Sequence, residues 1–295
     1  MAACGRVGFD AVARGDAVTG NGDAGDAGDA AAACAAVTSN DWLATAMPLD
    51  ASKQFAVSTD GTYAIDQNTG LLWQRGEAPS VLDIPSAMAY CASLSLGGCV
   101  HWRLPQRIEL GTLVDHRQAS PVIDPIAFPN TPIDMPHATA TPNTASNNSW
   151  LINFDNGNTF WNANTVQSYV RCVAGGAAGP VPPARYTVTA MTALDNATGL
   201  MWPRSNDITL YTQTQAVAHC VANGMRLPEV EELETLIDTT RSSPAIDLTA
   251  FPGAPSATYW SISPFDTNAY LTIDFTTGDT TNAPPTDTYV VRCVR

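Results

Sequence analysis

Ala64–Trp73 reads AIDQNTGLLW and Ala193–Trp202 reads ALDNATGLMW, identical at six of ten positions. The likeness continues in the same order along the chain. Arg75 and Arg204 follow at one offset, and Cys91 and Cys220 each lie 18 residues after the tryptophan. Arg103–Asp115 (RLPQRIELGTLVD) agrees with Arg226–Asp238 (RLPEVEELETLID) at eight of thirteen positions. Ser120–Pro129 (SPVIDPIAFP) agrees with Ser243–Pro252 (SPAIDLTAFP) at seven of ten. Each stretch closes on YVRCV (Tyr169–Val173) or VVRCV (Val290–Val294). Agreement in this order marks an internal duplication. The copies run over 61–174 and 187–295. Between them, 175–186 begins GGAAGPVPPAR, a flexible Gly half and a stiff Pro half that suit a linker. Residues 34–60 are a lead-in without counterpart, expected to pack on the first copy.

Within a copy the pattern is α+β, two helices and small antiparallel sheets. Thr-Gly-Leu-Leu-Trp reads as a turn entering a short apolar strand. Ala87, Met88, Cys91 and Leu94 are spaced for a helix over Pro85–Leu96, and the second copy predicts its partner over Thr212–Ala222, stopped by Asn223-Gly224. The RLP segment leads into a second helix, with Pro105 and Pro228 in its first turn. Gly157 and Gly278, each 15 residues before the last cysteine of its copy, predict one hairpin in both.

The chain has 295 residues, 14 Lys+Arg and 28 Asp+Glu, a net charge of −14, and a 45% hydrophobic share. Lys53 is its single lysine. That balance offers nothing to offset phosphate repulsion, so nucleic acid is not an expected partner. No run approaches the roughly 20 apolar residues of a spanning helix. The seven cysteines contain no CxxC pair and no His at zinc-ligand spacing, so no metal site is expected among them. Disulfides in an oxidising compartment are the better reading. The duplication pairs Cys91 with Cys172 and Cys220 with Cys293, at matching positions. Met1-Ala2-Ala3-Cys4 resembles the end of a bacterial lipoprotein signal, and TGNGDAGDAGDA (Thr19–Ala30) reads as a disordered spacer within 1–33. With Cys4 lipidated, Cys34–Cys99 becomes the third bridge, and a lipid anchor is the only expected membrane contact.

The TGLLW/TGLMW turns, the helix cysteine, RLP followed by Glu-Leu, and the terminal RCV together resemble the C-terminal domain of the Legionella collagen-like adhesin (Lcl). That family occurs in tandem in secreted and lipoprotein chains. The resemblance implies a C-type-lectin-like fold, in which a first-helix cysteine is also tied to the last strand. It further implies an extracytoplasmic, non-catalytic binding or adhesion module at the cell envelope or outer surface. It names no ligand.

The chemistry agrees with a non-enzyme. There is no GxSxG, HExxH or phosphate loop. None of His101, His116, His137 and His219 recurs in the other copy. Arg103 and Glu109 recur as Arg226 and Glu232, read as structural pairs that hold the RLP turn. Trp73 and Trp202 are expected in the core. The copies diverge between the second helix and the last strand, where ligand contacts are expected. There Trp161 with Asn162 and Asn164 offers an aromatic face and amides that suit a sugar ring, and a strand edge packing on the core explains the same residues equally well. Asp155-Asn156-Gly157-Asn158 offers oxygens for Ca²⁺, the one cofactor considered, and a plain hairpin explains the same residues. The expected function is surface-tethered ligand binding, foremost of an extracellular glycan. The alternative is an envelope scaffold whose partner is a surface protein.

Overall fold

The computed structural model describes residues 53–118, 120–143, 147–175 and 185–295. The expected spacer, Cys4 and Cys34 lie outside the described residues.

The first repeat opens with β1 (Phe55–Val57), β2 (Tyr63–Asp66) and β3 (Leu72–Gln74), joined to β7 (Val173–Ala174) in a sheet of order β1-β2-β3-β7. Two helices follow, α1 (Ile84–Ser93) and α2 (Arg107–Gly111). A second sheet holds β4 (His137–Pro142), β5 (Asn148–Ile152) and β6 (Thr159–Ala163) in sequential order. The second repeat retraces this path. Its β8 (Tyr186–Val188), β9 (Thr192–Asp195) and β10 (Met201–Pro203) form one sheet, and β11 (Asp207–Tyr211) precedes α3 (Gln213–Ala222) and α4 (Val230–Thr235). Its β12 (Thr258–Pro264), β13 (Tyr270–Asp274), β14 (Asp279–Ala283) and β15 (Tyr289–Val291) join β11 in the order β11-β15-β12-β13-β14. The β5–β6 and β13–β14 hairpins turn at Gly157 and Gly278, both with positive φ (78° and 92°).

Three expectations are corrected. First, part of the lead-in has a counterpart. β1 pairs with β2 as β8 pairs with β9, and Phe55 meets Phe128 edge-on at 5.0 Å as Tyr186 meets Phe251 at 5.2 Å. The turn after β1 is two residues longer than that after β8, so a gapless comparison loses the match. For the same reason the linker ends sooner than expected, because Tyr186 already lies in β8. Second, the first helix spans Ile84–Ser93, not Pro85–Leu96. Asp83 caps it by accepting from the Ser86 N–H at 2.9 Å, and Leu94 has already turned extended (ψ 142°). Third, Pro105 and Pro228 precede the N-caps Gln106 and Glu229, so they stand outside the helices.

Each helix is short, so packing rather than propensity holds it. Cys91 is bridged to Cys172 and Cys220 to Cys293, with Cα–Cα distances of 5.5 and 5.4 Å. Each bridge fastens the first helix to the strand segment that ends its repeat. Cys99 is also disulfide-bonded. Trp73 and Trp202 are fully buried. Among the described residues no helix is long and apolar enough to cross a membrane.

Candidate functional site

The recurring charged pairs are consumed by the fold. Arg103 donates through Nη1 to Glu109 Oε2 at 2.7 Å and through Nη2 to Oε1 at 2.6 Å, while the Gln106 N–H donates to the same carboxylate at 2.8 Å. Arg226, Glu232 and the Glu229 N–H repeat this at 2.6, 2.5 and 2.8 Å. Each glutamate closes a capping box on the second helix of its repeat. A hydroxyl from the following sheet completes the helix start: Thr141 Oγ1 accepts from Arg107 N–H at 2.8 Å, and Ser263 Oγ from Val230 N–H at 2.9 Å. Asp66 and Asp195 accept backbone N–H groups in their turns, from Asn68 at 2.9 Å and Ala197 at 3.0 Å.

The variable face is arranged differently from its sequence reading. Six tryptophans are described. Five are at most 2% exposed, and Trp161 on β6 is 36% exposed. Strand periodicity separates the group read together in the sequence. Trp161 lies opposite Trp150 and Asn162 opposite Ser149, so the indole and the Asn162 amide project from opposite faces of β6. Asn162 accepts the Ala163 N–H at 2.8 Å. Asn164 lies past the strand end, where its carbonyl accepts the Ile84 N–H at 3.0 Å and so anchors the start of α1. Asp155 stands in the hairpin turn and accepts from Ser120 Oγ at 2.7 Å. Among the described residues no group of three or more His, Cys, Asp or Glu is placed to hold a metal ion. His219 stacks on Tyr211 at 4.8 Å, and its neighbour Cys220 is in the disulfide, so the two form no catalytic pair.

The Lcl C-terminal domain family matches residues 62–174 and again 191–295. The chain belongs to this family. No curated protein matches it. Each Lcl domain match begins in the turn that follows β1 or β8, so both first strands lie N-terminal to the matched part.

The arginine of the closing RCV is the functional-looking residue that sequence reading passed over, and its role in both Lcl domains is internal. Arg171 is 1% exposed. It donates to the carbonyls of Gln74 at 2.9 Å and Arg75 at 2.7 Å, to Thr131 Oγ1 at 3.0 Å, and to the Glu77 carboxylate. Its guanidinium lies 4.6 Å over Phe128. Arg292 copies the pose, donating to the Pro203 carbonyl at 2.8 Å and to Asn206 Oδ1, over Phe251 at 4.7 Å. The signal was its recurrence beside a core cysteine. The surroundings differ in charge. In the first domain His137 is fully buried with Nε2 3.1 Å from Glu77 Oε1, whereas the second domain has Asn206 and Tyr259 at the matching positions. Burial pushes the Glu77 carboxyl up, but Arg171 and His137 outweigh it and hold the group below its ordinary range. Burial pushes the His137 imidazole down against the pull of Glu77.

Proposed function

We propose that the chain is a non-catalytic, extracytoplasmic adhesion protein whose ligand contact centres on Trp161, with a glycan as the ligand class. Membership of the Lcl C-terminal domain family points to an extracellular adhesion-type domain. The disulfides fit an oxidising compartment. The bridge from first helix to closing strand supports a C-type-lectin-like reading of each repeat. The observation that carries the proposal is the exposure of one indole in a molecule that buries its other described tryptophans. Aromatic faces bind the apolar side of sugar rings, and an edge strand offers further polar groups beside them. Asn162, exposed on the other face of β6, contributes only to a ligand that wraps this edge.

A glycan array run with Ca²⁺ and with EDTA tests this on the oxidised protein. The expected result is a hit that Trp161→Ala abolishes while the variant keeps its cooperative unfolding transition, with a stability loss of about 2 kcal/mol because the indole is mostly covered. A blank array with folded protein, or a hit indifferent to Trp161→Ala, rejects it. A protein partner is the second reading. It is favoured by Ile208 and Leu210, 74% and 57% exposed on the edge strand β11.

A further inference from the structure

The two repeats meet along a seam where matching residues touch each other. Thr159 and Thr280 each lie 13 residues before the last cysteine of their repeat, and their hydroxyls are 2.8 Å apart, both buried. Gly111 and Glu234 match through the RLP alignment, and a Cβ at Gly111 would stand 3.8 Å from Glu234 Oε2. A residue that contacts its own counterpart lies on a two-fold axis, so the repeats are docked as an isologous pair is docked. Trp150 reinforces the contact, since a Cβ at Gly278 would stand 3.0 Å from its ring.

The polar groups on this axis break the symmetry. Arg107 reaches across to Glu234 at 3.4 Å, and Glu234 Oε1 also accepts from Thr280 Oγ1 at 2.7 Å. The counterpart of Arg107 is Val230, and the counterpart of Glu234 is Gly111. Each repeat therefore carries one half of a single ion pair, with Arg107 buried and Glu234 mostly so. If two first repeats docked this way, two buried guanidinium groups would face glycines. If two second repeats docked, two buried carboxylates would face each other over valines. Both arrangements strand charge away from water, which strongly disfavours them.

We propose that this seam is a sorting interface: the first repeat's seam face takes a second repeat and rejects its own kind. Glu234 lies against Gly111, where a side chain's first carbon would already be in van der Waals contact with its carboxylate. The ion pair fixes which repeat stands on which side, and like-with-like pairing between neighbouring chains is suppressed.

A protease site placed within 176–184 of the full chain gives the test. After folding, oxidation and cleavage, native mass spectrometry should show the halves held together one to one. Gly111→Glu sets a second carboxylate against Glu234 and should weaken the association at least tenfold. Arg107→Val should do the same, while R107V/E234G removes both charges and should recover most of the loss. That recovery separates lost pairing from lost folding, and the disulfide content and melting profile of each cleaved variant provide a second check. Halves of the wild type that separate, halves that form like-with-like dimers, or single variants that leave the association unchanged would each overturn the proposal.

Discussion

Replacing Arg171 and Arg292 by methionine, one at a time, separates the cost of a lost hydrogen-bonding hub from that of a stranded charge. Methionine keeps a flexible apolar stem over the Phe128 or Phe251 ring in both variants. In R171M three neutral acceptors lose their donor: the Gln74 and Arg75 carbonyls and Thr131 Oγ1. At about 1 kcal/mol each this is about 3 kcal/mol. The Glu77 carboxylate is also left buried without its cation, and removing one partner of such a pair costs about 3–5 kcal/mol as a whole. That range already contains the lost hydrogen bonds, so we expect a loss of about 3–5 kcal/mol in all. In R292M the acceptors are the Pro203 carbonyl and the Asn206 amide oxygen, both neutral, and the loss should be about 2 kcal/mol. Glu77→Gln should restore about 2 kcal/mol to R171M and nothing to R292M. The pH response follows. In the wild type Glu77 lies below its ordinary range, so its stabilisation is present above that range and lost as pH falls through it. Without Arg171 burial outweighs the remaining attraction, the carboxyl rises above that range, and R171M should lose stability as pH rises. Urea unfolding of oxidised protein, followed by tryptophan fluorescence at pH 4.5 and 7.5, measures both. Equal losses in the two variants, or no restoration by E77Q, would refute the reasoning.

The Cys220–Cys293 bridge closes 73 residues, for which the chain-entropy relation gives about 4 kcal/mol; C220A/C293A should show that loss in a urea titration, and a loss under about 1 kcal/mol would contradict it. Glu232 is buried under three donors whereas the Arg226 side chain is 48% exposed, so E232A should cost about 2–3 kcal/mol and R226A at most about 1, with equal costs refuting the assignment. Burial pushes the Glu231 carboxyl up to about 7, with Lys53 pulling it down and Glu229 and Glu234 pushing it up, while burial pushes the facing His116, 3.8 Å away, down to about 4. The ionised carboxylate is disfavoured in the fold, so Glu231 costs stability progressively as pH rises from its ordinary range to about 7. His116, held neutral in the fold, gains stability with rising pH over nearly the same interval and offsets this, so E231Q should turn a nearly flat melting profile into one that rises with pH, and an unchanged profile would count against it.

The duplication made much of this molecule legible. Matching positions located the cysteine pairs, the RLP turns and the two hairpins, because those features depend on residues that recur without a gap. The β1 and β8 strands escaped because the turn beside them differs by two residues, and Phe55 and Tyr186 share aromatic character rather than identity. The grouping of Trp161 with Asn162 failed for a local reason: neighbours in a sequence become opposites on a strand. Arg171 was visible as a repeated letter, yet only the folded chain shows that carbonyls from the β3 end and a threonine 40 positions away converge on it. The seam was illegible from either repeat alone. Val230 and Gly111 look like unremarkable substitutions until they stand opposite Arg107 and Glu234.

The helix-to-strand bridges also determine how these repeats bear tension. A pull applied across the first repeat enters near β1 and leaves after β7. The Cys91–Cys172 bond lies in that load path, and the 81 positions it spans are bypassed. Fully extended, a segment of that length would lengthen the chain by about 280 Å at roughly 3.4 Å per residue. With the sulfur bridge intact that slack stays locked away, and only the leading strands and the first helix can unravel under load. A protein that holds a surface against flow would then yield a short distance and stop, keeping β4, β5 and β6, and the exposed indole on β6, inside the closed covalent ring.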